Sequence, residues 1–561
     1  MKKAIIILIL AGALVYGFNL NNNLLWDDIE WIAMNPYVHS FSLANVRHWF
    51  TGNVLEGIGL ASNYYRPFLF FTFTLNYVLH GVHPIGWHVV SNLIHIANGI
   101  LLFFLLRRIF QNQFVAFWTS LLFLVHPLQT EAVAYISGRG DPLSALFMLG
   151  ALLLALRGHH MVPLILLVFA LLSRESAIMF PFLIMIVFMS VAKEPFLRAL
   201  QKSFLRAMPY FAIVIAYGIL RLTVLNFDNT LNFFAASVSN PYTESMAIRM
   251  YTFLSILPSY ARLLIVPLGQ HMDRAPAVYT SISFWQVWIP LLGLIGVLAI
   301  TCMSYKSHKT YFQVLFFGVA WFFAAISPMS GITPVNGLMY EHWLYMPMIG
   351  PLVILLYFLS RLSFRNVIIA VLITLTAWFS YLSIQRNRLW GDPIRFFEDI
   401  LKYEPASART LTNVANLYFD QSNVAKAEEY YLRAVGSNTS FPQAYYNLAR
   451  LYRDQGKYAD AIPLLKRAIA VDSRFFYAYQ ELAIIYAHEG AFKESRDALL
   501  VLHDLRPTDP RVYLNLAKIE QADGNKDAAI QWLTAGLPLS EYDSEARQEI
   551  QKLLDDLMKK R

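Results

Sequence analysis

The sequence predicts an all-α protein in two unlike parts, a polytopic membrane domain of apolar helices followed by a superhelix of short amphipathic ones. Three observations carry this. Of 561 residues, 57% are hydrophobic and only 15% charged, with a mean hydropathy of +0.44. Ordinary globular chains run about 45–50% apolar and about 25% charged. Residues up to about Trp390 form a series of apolar stretches, and from about Ala408 a pattern recurs at a step of 34 residues. This composition excludes a disordered chain and a fully soluble enzyme.

The first apolar stretch, 4–18, follows Lys2 and Lys3. No small-x-small cleavage site precedes the acidic segment Trp26-Asp27-Asp28-Ile29-Glu30, so the stretch reads as a retained anchor and not as a cleaved signal peptide. Further stretches lie near 87–106, 113–127, 143–157, 161–173, 176–192, 209–225, 285–303, 311–328, 343–360 and 367–384. Several fall short of the roughly 20 residues that span a bilayer.

Basic residues set the orientation. Arg107 and Arg108, the segment 193–206, Lys306 and Lys309, and Arg361 and Arg365 all lie between stretches. Eleven spans put them on the cytoplasmic side, leave 21–86 as the first external loop and bring the C-terminus outside. Two further stretches then do not cross. The segment 65–80 begins with Tyr65-Arg66-Pro67 and reads as an interfacial or re-entrant helix, and 249–267 is interrupted by Pro258 and Arg262. The net charge of +8 is accounted for by such loops beside anionic lipid, so nucleic-acid binding is not expected. The lone Cys302 excludes an intrachain disulfide, a cysteine zinc site and a CxxC redox centre.

In the second part, Leu448-Ala449, Tyr452 and Gly456 recur as Leu482-Ala483, Tyr486 and Gly490. Val414-Ala415 and Tyr418 precede them in the same frame, and Leu516-Ala517 and Gly524 follow. Pro405, Ser473 and Pro507 occupy the slot that ends a helix. Small Ala449 and Ala461 let paired helices approach, large Tyr452 and Leu465 fill between them, and Gly456 makes the turn. The pattern resembles the tetratricopeptide repeat. About four repeats and a capping helix are expected, and the resemblance implies a concave face that holds a polypeptide partner. The predicted domains are 1–390, a linker at 391–407, and 408–561.

Candidate chemistry lies in four polar clusters. Adjacent Asp27 and Asp28 follow the first span, where like charges oppose each other's ionisation. Such a pair suits a general base with an orienting partner, or a metal ligand. The run His126-Pro127-Leu128-Gln129-Thr130-Glu131 continues to Arg139-Gly140-Asp141. Ionisable groups at membrane depth are costly and are functional or paired. Arg174-Glu175 separates two apolar runs, and Glu341-His342-Trp343-Leu344-Tyr345 enters a span. Trp343 and Tyr345 read as an interface belt, and His80, His83, His88 and His95 as interfacial histidines in place of a metal site. The basic-residue orientation puts all four clusters and the repeats on one side of the membrane.

These motifs, WDDIEWIAMNP, YYRPF, HPLQTEAVAYISGRGD, SRES and EHWLYMP, followed by the repeats, resemble the transmembrane and tetratricopeptide-repeat containing O-mannosyltransferases and their prokaryotic relatives. The resemblance implies a GT-C glycosyltransferase domain that uses a polyprenyl-phosphate sugar on the external leaflet. Its acidic motif maps onto Asp27 and Asp28, and its basic-acidic pair onto Arg174 and Glu175. The chain departs from the family at Arg174, where relatives tend to carry Lys, and at His342, where they tend to carry Arg. The expected roles are Asp27 as base with Asp28 orienting it or exchanging roles, and Arg66, Arg139 and Arg174 on the donor phosphate. Tyr65, His126, Glu131, Asp141, Glu175, Glu341 and His342 support those cations or bind sugar.

No cofactor is required by this reading, and Asp27 and Asp28 act with or without a divalent cation. The expected partners are the bilayer, a polyprenyl-phosphate sugar carrying mannose or another hexose, and an acceptor polypeptide on the repeats. The expected location is a bacterial inner membrane with periplasmic repeats, or the endoplasmic-reticulum lumen in a eukaryote. Two alternatives stand beside this reading: a GT-C enzyme acting on a lipid or glycan, and a non-catalytic membrane-anchored repeat scaffold.

Overall fold

The computed structural model describes residues 1–58, 62–227, 241–333, 335, 337–437, 439–540 and 543–559. Residues 59–61 of the expected first loop, and 438, 541–542 and 560–561 of the expected repeats, lie outside that set. The described residues are helical with no strand, and they divide into two compact units at Phe396/Phe397.

In the first unit each of the eleven apolar stretches is a helix, as backbone N–H groups in hydrocarbon require. Seven are long and apolar enough to cross a membrane: Lys2–Asn19, Pro84–Phe110, Ser137–Leu156, Phe196–Thr223, Trp285–Lys306, Lys309–Met329 and Arg365–Trp390. Gln113–Val125, Met161–Ser173, Glu175–Val191 and Ile349–Leu359 are shorter apolar helices. The two excluded stretches are also helical. Pro67–His80 has 14 residues, and Met246–Ile265 carries Pro258 within it. The segment 193–206, expected as a loop, instead supplies the first turns of the 28-residue helix Phe196–Thr223.

Close packing fixes these helices. A Cβ on Gly350 would lie 3.0 Å from the carbonyl carbon of Gly318, so the helices Lys309–Ile326 and Ile349–Leu359 touch through two glycines. Helix Pro84–Phe110 shows the polarity of the unit. Its first turns carry Trp87 and His88, and its far end carries Arg107, bonded to Met1 Sδ. Nearby, Asn112 caps the next helix and reaches Ser360. The basic loops and the acidic motifs thus occupy opposite ends.

The second unit consists of tetratricopeptide-type helix pairs: Ala408–Asp420 with Val424–Gly436, Pro442–Asp454 with Tyr458–Val471, Phe476–His488 with Phe492–Leu505, and Pro510–Ala522 with Lys526–Gly536. Helix Ser544–Lys559 closes the stack by burying Ile550 and Leu557. The unit begins earlier than expected. Within the predicted linker 391–407, Pro393–Leu401 is a helix with Phe396, Phe397 and Ile400 buried. Its Glu398 accepts from the hydroxyls of Tyr418 (3.4 Å) and Tyr430 (3.3 Å).

The turn between paired helices requires a left-handed residue. Gly456, Gly490 and Gly524 adopt φ of 72°, 74° and 87°, and Ser422 takes the same place in the first repeat at φ 61°. An L-residue there costs about 1 kcal/mol relative to glycine. Ser422→Gly is therefore expected to stabilise the repeat unit by about 0.5–1 kcal/mol, read as a higher denaturation midpoint with unchanged m-value.

Candidate functional site

The four clusters, scattered between positions 27 and 342, converge at one end of the first unit. Trp26 has φ 59°, an uncommon conformation for a bulky residue and of the kind stored at functional sites. The two aspartates that follow it have different surroundings. Asp28 is 2% exposed. Its Oδ1 accepts from the backbone N and Oγ of Ser137, both at 2.7 Å, and its Oδ2 from the N–H groups of Ile136 and Leu25, both at 3.4 Å. Asp27 is half-buried and bonds the hydroxyl of Tyr135. Burial, with Asp27 and Asp28 beside it, raises that phenol well above its ordinary range, so it stays a donor. Tyr135 in turn stacks on Trp390 with centroids 5.6 Å apart.

Burial pushes the Asp28 carboxyl up to about 7, against the opposing pull of the donors from Ser137, Leu25 and Ile136. An unfolded aspartate titrates near 4. The folded state therefore binds the proton more tightly, and this contribution to stability is present at low pH and lost as pH rises through about 7. Relative to Asp28→Asn, wild-type thermal stability is expected to fall between pH 5 and pH 8, which a melting series in detergent measures.

A buried ionic chain extends from the aspartates. Arg66 donates from Nε to Glu175 Oε2 at 3.0 Å and pairs through Nη2 at 3.0 Å, while the Tyr65 N–H also reaches Glu175 at 3.2 Å. Arg174 meets Asp141 through Nε at 3.2 Å and donates from Nη2 to His342 Nε2 at 3.3 Å. His342 Nδ1 donates to Glu131 Oε1 at 2.6 Å, and Glu131 Oε2 accepts the Glu341 N–H at 3.1 Å. The Glu341 carboxylate accepts from Arg274 Nη2 and from the His271 N–H, each at 2.8 Å, with Arg386 Nη2 at 3.8 Å. Most of these carboxylates face a guanidinium or imidazole, which is how charges persist in a low-dielectric site.

Four sequence expectations change, the first being that His88 and His95, expected at the interface, are buried. Arg139 is fully buried, with Nε on Ser91 Oγ (3.0 Å), Nη1 on Asn76 Oδ1 (2.7 Å) and Nη2 on the Trp87 carbonyl (2.8 Å). All three nitrogens are committed, so it braces the helices and is not placed as a phosphate ligand. His126 is buried as well. Its Nδ1 accepts from the Leu128 N–H and its Nε2 donates to the Leu264 carbonyl, so it caps a turn. Trp343 and Tyr345 are buried, not belt residues. The Tyr345 hydroxyl donates to His95 Nδ1 at 2.7 Å and accepts from Asn98 at 2.9 Å.

Arg274, Arg386 and Tyr135 belong to the site without having been singled out in the sequence. For Arg386 a signal existed, a basic run QRNR at the end of an apolar helix. Arg274 sits in an irregular loop with no motif around it. Among the described residues no group of three or more His, Cys, Asp or Glu side chains is arranged to hold a metal.

Family comparison matches residues 406–474 and 446–510 to tetratricopeptide repeat families. Protein O-mannosyl-transferase F38B6.6 of Caenorhabditis elegans is 27% identical over 454 residues, 79% of this chain and 64% of that protein. Human protein O-mannosyl-transferase TMTC1 is 40% identical over 152 residues, 26% of this chain and 17% of that protein. Human protein O-mannosyl-transferase TMTC3 is 26% identical over 410 residues, 66% of this chain and 44% of that protein. The chain thus spans less than two thirds of the length of these relatives. Its helices are those of an integral membrane protein. Along most of its length the chain is similar in sequence to proteins named O-mannosyl-transferases, and its second part carries tetratricopeptide repeats.

Proposed function

We propose that the chain is a membrane glycosyltransferase that moves a sugar, mannose or another hexose, from a polyprenyl phosphate to Ser or Thr hydroxyls of a protein. The observation that carries the reading is the separation of the two aspartates. Asp28 is consumed by four donors, and Asp27 is half-buried and bonded to Tyr135. The names of the relatives support protein O-mannosylation.

In this mechanism the acceptor oxygen attacks the anomeric carbon and its proton passes to Asp27. The bond between that carbon and the phosphate oxygen breaks, and the electron pair leaves with polyprenyl phosphate. Arg174 and Arg66 stabilise the departing anion. Asp141 and Glu175 hold those two guanidiniums in place through the ion pairs at 3.2 and 3.0 Å. Glu131, His342 and Glu341 set the segment that closes the far side of the chain. A divalent cation at Asp27 is compatible with the reading but is not needed for any step. The repeats hold the acceptor polypeptide and raise the local concentration of its hydroxyl. In a bacterium this side of the membrane is the periplasm.

The test is label transfer by the purified chain from a panel of polyprenyl-phosphate sugars to a secreted protein. Turnover with one donor supports the reading and names the sugar. Transfer to a lipid or glycan and not to protein would redirect it. Absence of both turnover and donor binding favours a non-catalytic scaffold.

A further inference from the structure

The long helix Phe196–Thr223 brings to the site two polar side chains that the mechanism above leaves unused. Tyr217 and Arg221 stand four residues apart, on one face of that helix. The Tyr217 hydroxyl is buried and has no hydrogen-bond partner among the described residues, an unmet donor that calls for an explanation. Glu175, Arg221, Arg66 and Tyr65 are the charged and titratable groups within its electrostatic reach.

Among the described residues, Arg221 bonds only neutral oxygens. Nη1 donates to the Leu225 carbonyl, and Nη2 donates to the carbonyl and, at 2.8 Å, to the side-chain oxygen of Asn63. Its guanidinium lies over the rings of Tyr65 and Phe227, each at 5.8 Å. Among the described residues no carboxylate pairs with it. Glu175 is committed to Arg66, so the cluster Arg66, Arg221 and Glu175 carries one surplus positive charge.

The opposite face of the same helix exposes Ile215, Ile219 and Leu222, so the pair sits on a helix that borders lipid. Leu220, exposed and three residues beyond Tyr217, is the lipid-facing side chain that borders the pair. Charge and an unspent hydroxyl coincide at one end of a lipid-bordering helix.

We propose that Arg221 and Tyr217 form the docking site for the phosphate of a polyprenyl-phosphate lipid. This rests on the donor class proposed above and names where the lipid phosphate is first held. Arg221 supplies a fixed cation, and Tyr217 donates its hydroxyl to a phosphate oxygen. From there the phosphate is adjacent to Arg66.

Binding of undecaprenyl monophosphate to the full-length protein in nanodiscs, measured by native mass spectrometry, tests the site. Inorganic phosphate and undecaprenol are parallel probes. Arg221→Gln is expected to weaken the lipid phosphate about tenfold and Tyr217→Phe about threefold, with the weaker binding of undecaprenol unchanged in both. Arg221→Lys retains the charge and is expected to keep most of the affinity. Equal loss in Arg221→Lys and Arg221→Gln would assign the arginine to anchoring Asn63 and overturn the proposal. Inorganic phosphate binding as tightly as the lipid, with the same dependence on Arg221, overturns the lipid assignment. Unchanged lipid binding in both Arg221→Gln and Tyr217→Phe overturns the site while leaving the proposed reaction standing. No binding of the lipid phosphate to wild type removes both.

Discussion

Asp27→Asn is expected to lower the transfer rate by roughly a thousandfold while leaving donor binding within about twofold of wild type. A positioned general base contributes about 10²–10⁴ in rate, and the amide keeps the size of the carboxylate but takes no proton. The structure explains why the effect should be confined to this member of the pair. Asp28 uses both oxygens on Ser137, Ile136 and Leu25, so its replacement loosens the first loop and acts through stability. Asp27 makes its bond to a tyrosine hydroxyl, which an asparagine oxygen also accepts. The turn at Trp26 is therefore retained. Single-turnover transfer and equilibrium donor binding, run on the same preparation, separate chemistry from folding. Full transfer by Asp27→Asn would remove the base from the mechanism.

Much of this architecture is legible in the sequence because one constraint dominates. In hydrocarbon an apolar run has no stable alternative to helix, and all eleven runs are helices. The repeats are legible for a related reason, since a period of 34 fixes which positions are small and which turn left-handed. The interior of the site is less legible, because pairing is decided by chain segments far apart. Nothing in Gly138-Arg139-Gly140 says that Ser91, Asn76 and the Trp87 carbonyl will take every nitrogen of Arg139. Likewise, the roles of Asp27 and Asp28 are sorted by Ser137, more than a hundred residues away. Tyr345 carries an aromatic composition typical of an interface, yet His95 and Asn98 draw it inside. Arg274 is visible only in three dimensions, through Glu341.

Glu341 is the residue whose loss is expected to cost the fold most. It is 0% exposed, accepts from Arg274 and the His271 N–H, and faces Arg386. Glu341→Gln preserves shape but leaves two guanidiniums, 13% and 7% exposed, without their shared counter-charge. Removing one partner of a buried pair typically costs about 3–5 kcal/mol, so a destabilisation of about 3 kcal/mol is expected, read as a lowered melting temperature in detergent. The effect should spread to activity, because the neighbouring His342 and the Glu341 N–H both rest on Glu131. A double-mutant cycle isolates the cause. Arg274→Met in the Glu341→Gln background removes one stranded charge and should recover part of the loss, whereas in the wild-type background it should destabilise. Additive losses across that cycle would mean that Glu341 is held neutral and that its pairing with Arg274 is not what stabilises the site.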